Sequence, residues 1–315
     1  MSNKEMINDI QNEIGKVISG KDDIIKYIFT AIVAKGHILL EDVPGVGKTT
    51  LAVAFSRTLN LSYRRMQFTP DVLPSDVVGF SMYNKKINDF EYKPGVSMCN
   101  LLLADEINRT SPKTQSALLE VMEEKKVTVE GETRILPNPF IVIATQNPTG
   151  YVGTQKLPES QLDRFMIKLS MGYPDFNDEI SVYKGKSYDA LSDVNQILSG
   201  DDIIELQKKA CDVYVEESIY DYLTRLVRIT REDDNISLGV SPRGGIALLS
   251  MAKATALLSD RDYVIPEDIV GNIDCVCTHR IVPSSKAKAS GINEEKIMDA
   301  VKNKIDMPLG NSKRG

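Results

Sequence analysis

The residues best suited to chemistry lie together in Asp42-Val43-Pro44-Gly45-Val46-Gly47-Lys48-Thr49-Thr50. They follow the apolar run Ile38-Leu39-Leu40 and precede Leu51, Ala52, Ala54 and Phe55 at helix-compatible spacing. A strand that turns through glycines into a helix aims backbone N–H groups and the positive end of that helix at one spot. Such a spot suits the negative charge of a polyphosphate. Pro44, Gly45, Val46, Gly47, Lys48, Thr49 and Thr50 would form the cradle, with Lys48 reaching the β- and γ-phosphates and the Thr49 hydroxyl completing a Mg²⁺ shell. The pattern G-x-x-x-x-G-K-[ST] calls for glycine at position 42, where aspartate stands. Aspartate tolerates left-handed backbone angles better than most residues, so the turn can survive. A carboxylate there is compatible with phosphates only if it points away. The plain alternative is a strand–turn–helix carrying Gly-Lys-Thr by chance.

Further candidates follow along the chain. Leu101-Leu102-Leu103-Ala104-Asp105-Glu106 is an apolar run ending in two carboxylates. Hydrolysis of a phosphoanhydride needs a metal held near the β/γ-phosphates and a carboxylate that polarises water. Asp105 is placed for the first task and Glu106 for the second; a buried strand ending in solvated acids would read the same way. Phe140-Ile141-Val142-Ile143-Ala144-Thr145-Gln146-Asn147 ends in an amide that could orient water and sense the γ-phosphate, although asparagine is also a routine strand-end turn former. Arg164, in Asp163-Arg164-Phe165, could reach a neighbouring subunit's site and neutralise transition-state charge, a role worth roughly 10³–10⁵ in rate in other P-loop enzymes. It could equally pair with Asp163. Ser241-Pro242-Arg243 opens a helix, serine capping and proline at the first position. An arginine is disfavoured at that end of a helix dipole, so Arg243 implies a compensating anion, with a nucleotide phosphate the natural one, or else simple solvation.

The elements that must position these groups alternate. Strand-like runs at 37–41, 63–68, 100–104, 140–145 and 165–169 are separated by helical patterns, the mark of a parallel sheet with helices on its faces. Ligands gather at the carboxyl ends of such strands. Residues 69–98 are too long for a plain connection and should carry their own structure. Residues 125–135 read as a β-hairpin turning at Glu130-Gly131. Beyond Gly172-Tyr173-Pro174 the chain reads as a polar linker, then as helices at 201–214, 217–232, 241–258 and 266–280, with a frayed tail from Asn311. The expected organisation is an α/β nucleotide-binding core over 1–175, a linker over 176–200 and a helical domain over 201–310.

The 315 residues carry a net charge of −6. That balance argues against a nucleic-acid binder dominated by a basic surface, though not against a local basic channel. No apolar run is long enough to cross a bilayer, and the start MSNKEMINDI lacks a secretory core, so the expected location is cytoplasmic. Cys99, Cys211, Cys275 and Cys277 fit reduced thiols. Cys275, Cys277 and His279 are spaced poorly for zinc, since Cys277 would point away from the other two on a helix.

Together, GHILLEDVPGVGKT, QFTPDVLPSDVVG, LLLADEINRTSPKTQSALLEVMEE, FIVIATQNP, LPESQLDRF, GYPDFNDE and GVSPRGGIALL resemble the MoxR family of AAA+ ATPases, from about residue 18 to 283. Met166 follows QLDRF where leucine is common. The resemblance implies an AAA+ P-loop core, with a five-stranded parallel sheet flanked by helices, followed by a smaller all-helical lid. It implies ATP·Mg²⁺ hydrolysis and assembly into a ring, usually a hexamer. By motif, Lys48 and Thr49 belong to Walker A, and Asp105 and Glu106 to Walker B. Asn147 matches sensor 1, Arg164 the arginine finger and Arg243 sensor 2. Residues 69–98 match the insertion of this clade, and 125–135 the hairpin before sensor 1. Proteins of the family are thought to remodel protein clients in a chaperone-like way, often beside partners with von Willebrand factor A domains.

That makes an ATP-driven remodelling ATPase the leading expectation. A nucleic-acid motor is the second. In the hairpin region Lys125, Lys126 and Arg134 are offset by Glu123, Glu124, Glu130 and Glu132, which favours a protein client. A nucleotide-regulated scaffold with little hydrolysis is the third, and it leaves Glu106, Asn147 and Arg164 without a purpose.

Overall fold

The computed structural model describes residues 2–43, 45–86, 88–148, 156–183 and 190–305. Pro44, part of the linker and the tail from Asn311 lie outside them. The central sheet comprises β1 (Ile38–Glu41), β2 (Tyr63–Gln67), β5 (Leu101–Asp105), β8 (Ile141–Gln146) and β9 (Ile167–Leu169), in the order β2-β5-β8-β1-β9 with every pairing parallel. Each strand lies within a residue or two of its expected position.

Alternation along these strands builds two cores, because successive side chains point to opposite faces. Ile38, Leu40, Leu101, Leu103, Ile141 and Ile143 face α1 (Asn3–Gly15), α2 (Asp22–Val33) and α3 (Lys48–Thr58). Leu39, Leu102, Ala104, Val142 and Ala144 face the side covered by α5 (Pro112–Glu124). Both faces are buried along β1, β5 and β8, so these central strands read as unbroken apolar runs, whereas the edge strand β2 is partly exposed and carries two arginines.

Between β2 and β5, residues 69–98 form α4 (Pro74–Val78) and the hairpin β3 (Phe80–Asn84) and β4 (Asp89–Lys93). A second hairpin, β6 (Lys126–Val129) and β7 (Glu132–Ile135), turns at Glu130-Gly131, both with positive φ. The hairpins touch where the Arg134 guanidinium lies 4.0 Å from the Tyr92 ring centroid.

After α6 (Glu159–Leu162), β9 and α7 (Phe176–Tyr183), the C-terminal helices α8 (Gly200–Asp212), α9 (Glu217–Glu232) and α10 (Pro242–Leu258) follow the expected spans. Two details differ. The helix expected over 266–280 is broken into α11 (Pro266–Val270), α12 (Ile273–Cys277) and a 3₁₀ turn at Thr278–Arg280. Asn272 interrupts it, its amide donating to Asp268 O at 2.8 Å and Thr255 Oγ1 at 2.9 Å. A short antiparallel ribbon joins β10 (Ile236–Leu238) to β11 (Val282–Pro283), ahead of α13 (Ser285–Ala289) and α14 (Glu294–Lys302).

One apolar core runs from the sheet through α1 and α2 into α8–α12. Polar ties reinforce it: Gln207 donates to Ile32 O at 2.8 Å, Tyr27 to Gly271 O at 3.0 Å and Asn3 to Leu257 O at 2.8 Å. Cys275 and Cys277 pack into this core. Burial pushes the Cys277 thiol up to about 12 and the Cys275 thiol higher still. Among the described residues no group of three or more His, Cys, Asp or Glu side chains is placed to hold a metal ion, and no helix is long and apolar enough to cross a membrane.

Candidate active site

A cavity of about 390 Å³ opens at the carboxyl ends of β1, β5 and β8, within the range of small-molecule sites. Gly45, Val46, Gly47, Lys48, Thr49, Thr50, Asp105, Glu106 and Asn147 line it. Gly47 caps α3 at φ +94°, and a side chain there would also come within 3.0 Å of Ile18 Cδ1. The following N–H groups at the start of α3 are left to face the cavity without a side-chain cap. Lys48 is buried, its ammonium donating to Asp42 O at 2.8 Å and Val43 O at 3.3 Å. Burial draws its pKa down, and the carboxylates of Asp42, Asp105 and Glu106 oppose that.

Asp42 does not face the cavity. Its carboxylate accepts from Ser170 Oγ at 2.8 Å, Met171 N at 2.6 Å and Gly172 N at 3.0 Å. The aspartate in the glycine position therefore ties the turn to the segment leaving β9, and Met171 from that segment lines the cavity.

The acidic side is tightly organised. Asp105 Oδ1 accepts from Thr145 Oγ1 at 2.6 Å and Oδ2 from Arg65 at 2.7 Å. Glu106 has φ +57° and ψ +47°, a left-handed backbone uncommon for glutamate. Its Oε1 accepts from Asn147 at 3.1 Å and its Oε2 from Arg109 at 2.7 Å. Burial pushes the Glu106 carboxyl up, but hydrogen bonds from Arg109, Asn147 and Gln67, with the Arg109 charge, outweigh it and leave the pKa below the usual range.

These residues fit a nucleoside triphosphate and magnesium. An open turn at Gly45 (φ +90°, nothing within 4 Å) and a buried ammonium held only by backbone carbonyls leave room and charge for phosphates. The Thr49 hydroxyl and Asp105 carboxylate are the hard oxygen donors magnesium takes. Opposite them, Val17, Ile18, Met171 and Pro174 supply an apolar wall suited to a base. The sequence reading passed over that wall, along with Arg65, Gln67 and Arg109. Their only signal was position, one strand or one turn from Asp105 and Glu106.

Arg164 and Arg243 lie elsewhere. They line a second cavity of about 190 Å³ with Lys35 and His37, which precede β1. That places them at the amino ends of the strands, separated from the first cavity by the length of β1, about 13 Å for its four residues. Both pair with Glu123 near the end of α5. Within the single chain the carboxylate facing Arg243 is that of Glu123. Asp163 does not pair with Arg164: it holds Arg280 at 2.8 Å and accepts from Ser241 Oγ at 2.8 Å, joining α6 to the lid.

This fold and cavity define an AAA+ protein. Residues 37–167 match the model of the ATPase family associated with various cellular activities, and residues 228–301 match that of the AAA lid domain. The chain is 49% identical to YeaC of Bacillus subtilis (strain 168) over 95% of this chain and 94% of that one. It is 37% identical to Chaperone MoxR1 of Mycobacterium tuberculosis, over 95% and 82%. A crystal structure of a Cytophaga hutchinsonii protein, described as a candidate ATPase, superposes with a TM-score of 0.89 at 38% identity, covering 98% of this chain and 96% of its own. The chain belongs to the MoxR family of AAA+ ATPases.

Proposed function

We propose that this protein hydrolyses ATP with magnesium, as a ring of identical subunits, to remodel or assemble protein clients. The observation that carries the reading is Glu106, held in a left-handed backbone with its carboxylate clamped between Asn147 and Arg109 beside Lys48. In this reading Glu106 polarises the attacking water and Asn147 orients it, while Lys48 and the turn from Gly45 to Thr50 bind phosphates. Thr49 and Asp105 would hold magnesium, which would supply positive charge against the phosphates. Core 1–175 and lid 201–310 would act as the two bodies whose relative motion does work.

Assembly is favoured by the second cavity. Arg164 and Arg243 line this cavity and not the one at their own chain's P-loop, and both are partly exposed at a basic rim. Supplied to a neighbour's nucleotide they would act as trans arginines. A protein client is supported by the two hairpins, which expose Phe80, Met82, Phe90 and Ile135 on linked ribbons. Of their cations, Arg134 pairs with Glu132, Lys126 with Glu124 and Lys93 with Glu91, which reduces the positive charge offered to a phosphate backbone. The name of the M. tuberculosis relative, a chaperone, accords with this reading. A partner bearing a von Willebrand factor A domain belongs to the same proposal.

The test is Glu106→Gln. Turnover should fall about 10²–10⁴-fold, the usual worth of a general base, with nucleotide affinity retained, and the ATP-bound variant should retain its protein clients on affinity capture. Turnover near wild type would remove Glu106 from the reaction. Stimulation by DNA that fades steeply with salt would make the client a nucleic acid.

A further inference from the structure

Glu123 is the penultimate residue of α5, and each of its carboxylate oxygens is taken by a different arginine: Oε2 by Arg164 from the core and Oε1 by Arg243 from the lid. The cavity around it is short of anions. Five cationic side chains, Arg164, Arg243, Lys35, Lys125 and Arg280, face it against two carboxylates, Glu123 and Asp163. Asp163 is already committed to Arg280 and Ser241. Arg243 also stands in the first turn of α10, where the helix dipole repels a cation. An exposed ion pair between two side chains would contribute little to stability. One carboxylate bridging two arginines from separate elements, in a pocket with further cations to spare, has a different geometry: two oxygens of one acid presented to two guanidinium groups, as a phosphoryl group would present them.

We propose that Glu123 is a positioning residue for the reaction between subunits. In the separate subunit its carboxylate holds Arg164 and Arg243 side by side where the terminal phosphate of a neighbour's nucleotide will enter, and that more highly charged group displaces it on assembly. The inference rests on the ring reading above. Glu123 thereby sets how strongly the terminal phosphate, rather than nucleotide in general, drives subunits together.

The experiment is sedimentation velocity of wild type, Glu123→Gln and Glu123→Gln/Arg243→Ala across protein concentration, with the slowly hydrolysed analogue ATPγS or with ADP. Labelled-nucleotide affinity, measured at dilutions where subunits are separate, reports whether each variant is folded. Glu123→Gln removes the competing charge at nearly constant shape, so assembly with ATPγS should reach its midpoint at about two- to fivefold lower protein concentration. Assembly with ADP and affinity in the dilute subunit should not move, and the double variant should lose the gain. A purely structural ion pair would shift both nucleotide states alike, and that result overturns the proposal. So does an unchanged or weakened assembly of Glu123→Gln with ATPγS. If the wild type fails to assemble with ATPγS, the ring reading itself falls and the placeholder with it; wild-type assembly with an unresponsive Glu123→Gln removes the placeholder alone.

Discussion

At the scale of single residues, charges in this protein are assigned by pairing rather than by neighbourhood in the chain. Asp42 sits where the phosphate-binding turn usually has glycine, yet its carboxylate accepts three hydrogen bonds from Ser170, Met171 and Gly172 and is buried. Replacing it by glycine removes those bonds and frees the segment that carries Met171 to the cavity. Hydrogen bonds to a charged group contribute about 1.5–3 kcal/mol, so Asp42→Gly should weaken nucleotide binding about tenfold in a fluorescence titration and lower the melting temperature. Tighter binding would mean that the carboxylate opposes phosphates after all. Glu106 is governed by Arg109 in the same way. With its folded-state pKa lowered by Arg109, Asn147 and Gln67, the ionised base persists below the ordinary glutamate range. Arg109→Gln should therefore move the acid limb of the pH–turnover profile to higher pH. An unmoved limb would show that the limb belongs to another group.

At the scale of elements, the junction between sheet and lid depends on shape as much as on charge. Ser241 caps α10 by accepting from Gly244 N at 3.1 Å while donating to Asp163, and the guanidinium of Arg280 is packed beneath Gly244. A methyl group at Gly244 would lie 2.6 Å from Val240 Cγ1 and 2.7 Å from Arg280 Cδ. Glycine to alanine in a helix ordinarily adds about 1 kcal/mol of stability. Here overpacking of about 1–3 kcal/mol and displacement of the Arg280–Asp163 pair should reverse the sign. Gly244→Ala is expected to melt several degrees below wild type in a thermal scan; a rise would show that the lid yields without cost.

At the scale of the whole molecule, both histidines of the chain are buried and neutral, one in each half of the structure. His37 bridges β8 and α5, with Val142 N donating to Nδ1 and Nε2 set 3.0 Å from Met122 O. Burial is the main cause of its lowered pKa of about 4, and burial together with Arg280 holds His279 well below the ordinary value. The unfolded chain gains a proton at each imidazole near 6.5, where the folded chain does not. Protons are thus bound in excess by the unfolded state, and stability must fall as pH drops from about 6.5 toward about 4. His37 alone accounts for roughly 3 kcal/mol of this. Urea midpoints measured across that window should decline, and more gently in His37→Gln. A flat wild-type profile would show that His37 and His279 are not buried neutral.

The parallel sheet, the turn at Gly45–Gly47, the acidic strand end and the hairpin at 125–135 were legible in the amino-acid order because each is specified locally: by apolar runs of strand length, by glycines where φ is positive, by a serine and proline at a helix start; the hairpin within 69–98 was not. Helix breaks were less so, since Asn272 ends α11 through bonds made partly to another helix. Side-chain partners were not legible at all. Whether Arg164 meets Asp163 or Glu123, whether Asp42 faces phosphates or the chain beyond β9, and which cavity Arg243 enters are settled by residues about 40 to 130 positions apart. Composition and spacing determined that this chain carries the parts of a nucleotide site. Only the tertiary structure decided that two of its arginines stand at the opposite end of the sheet, because strand direction, and not sequence proximity, separates the two ends of a parallel sheet.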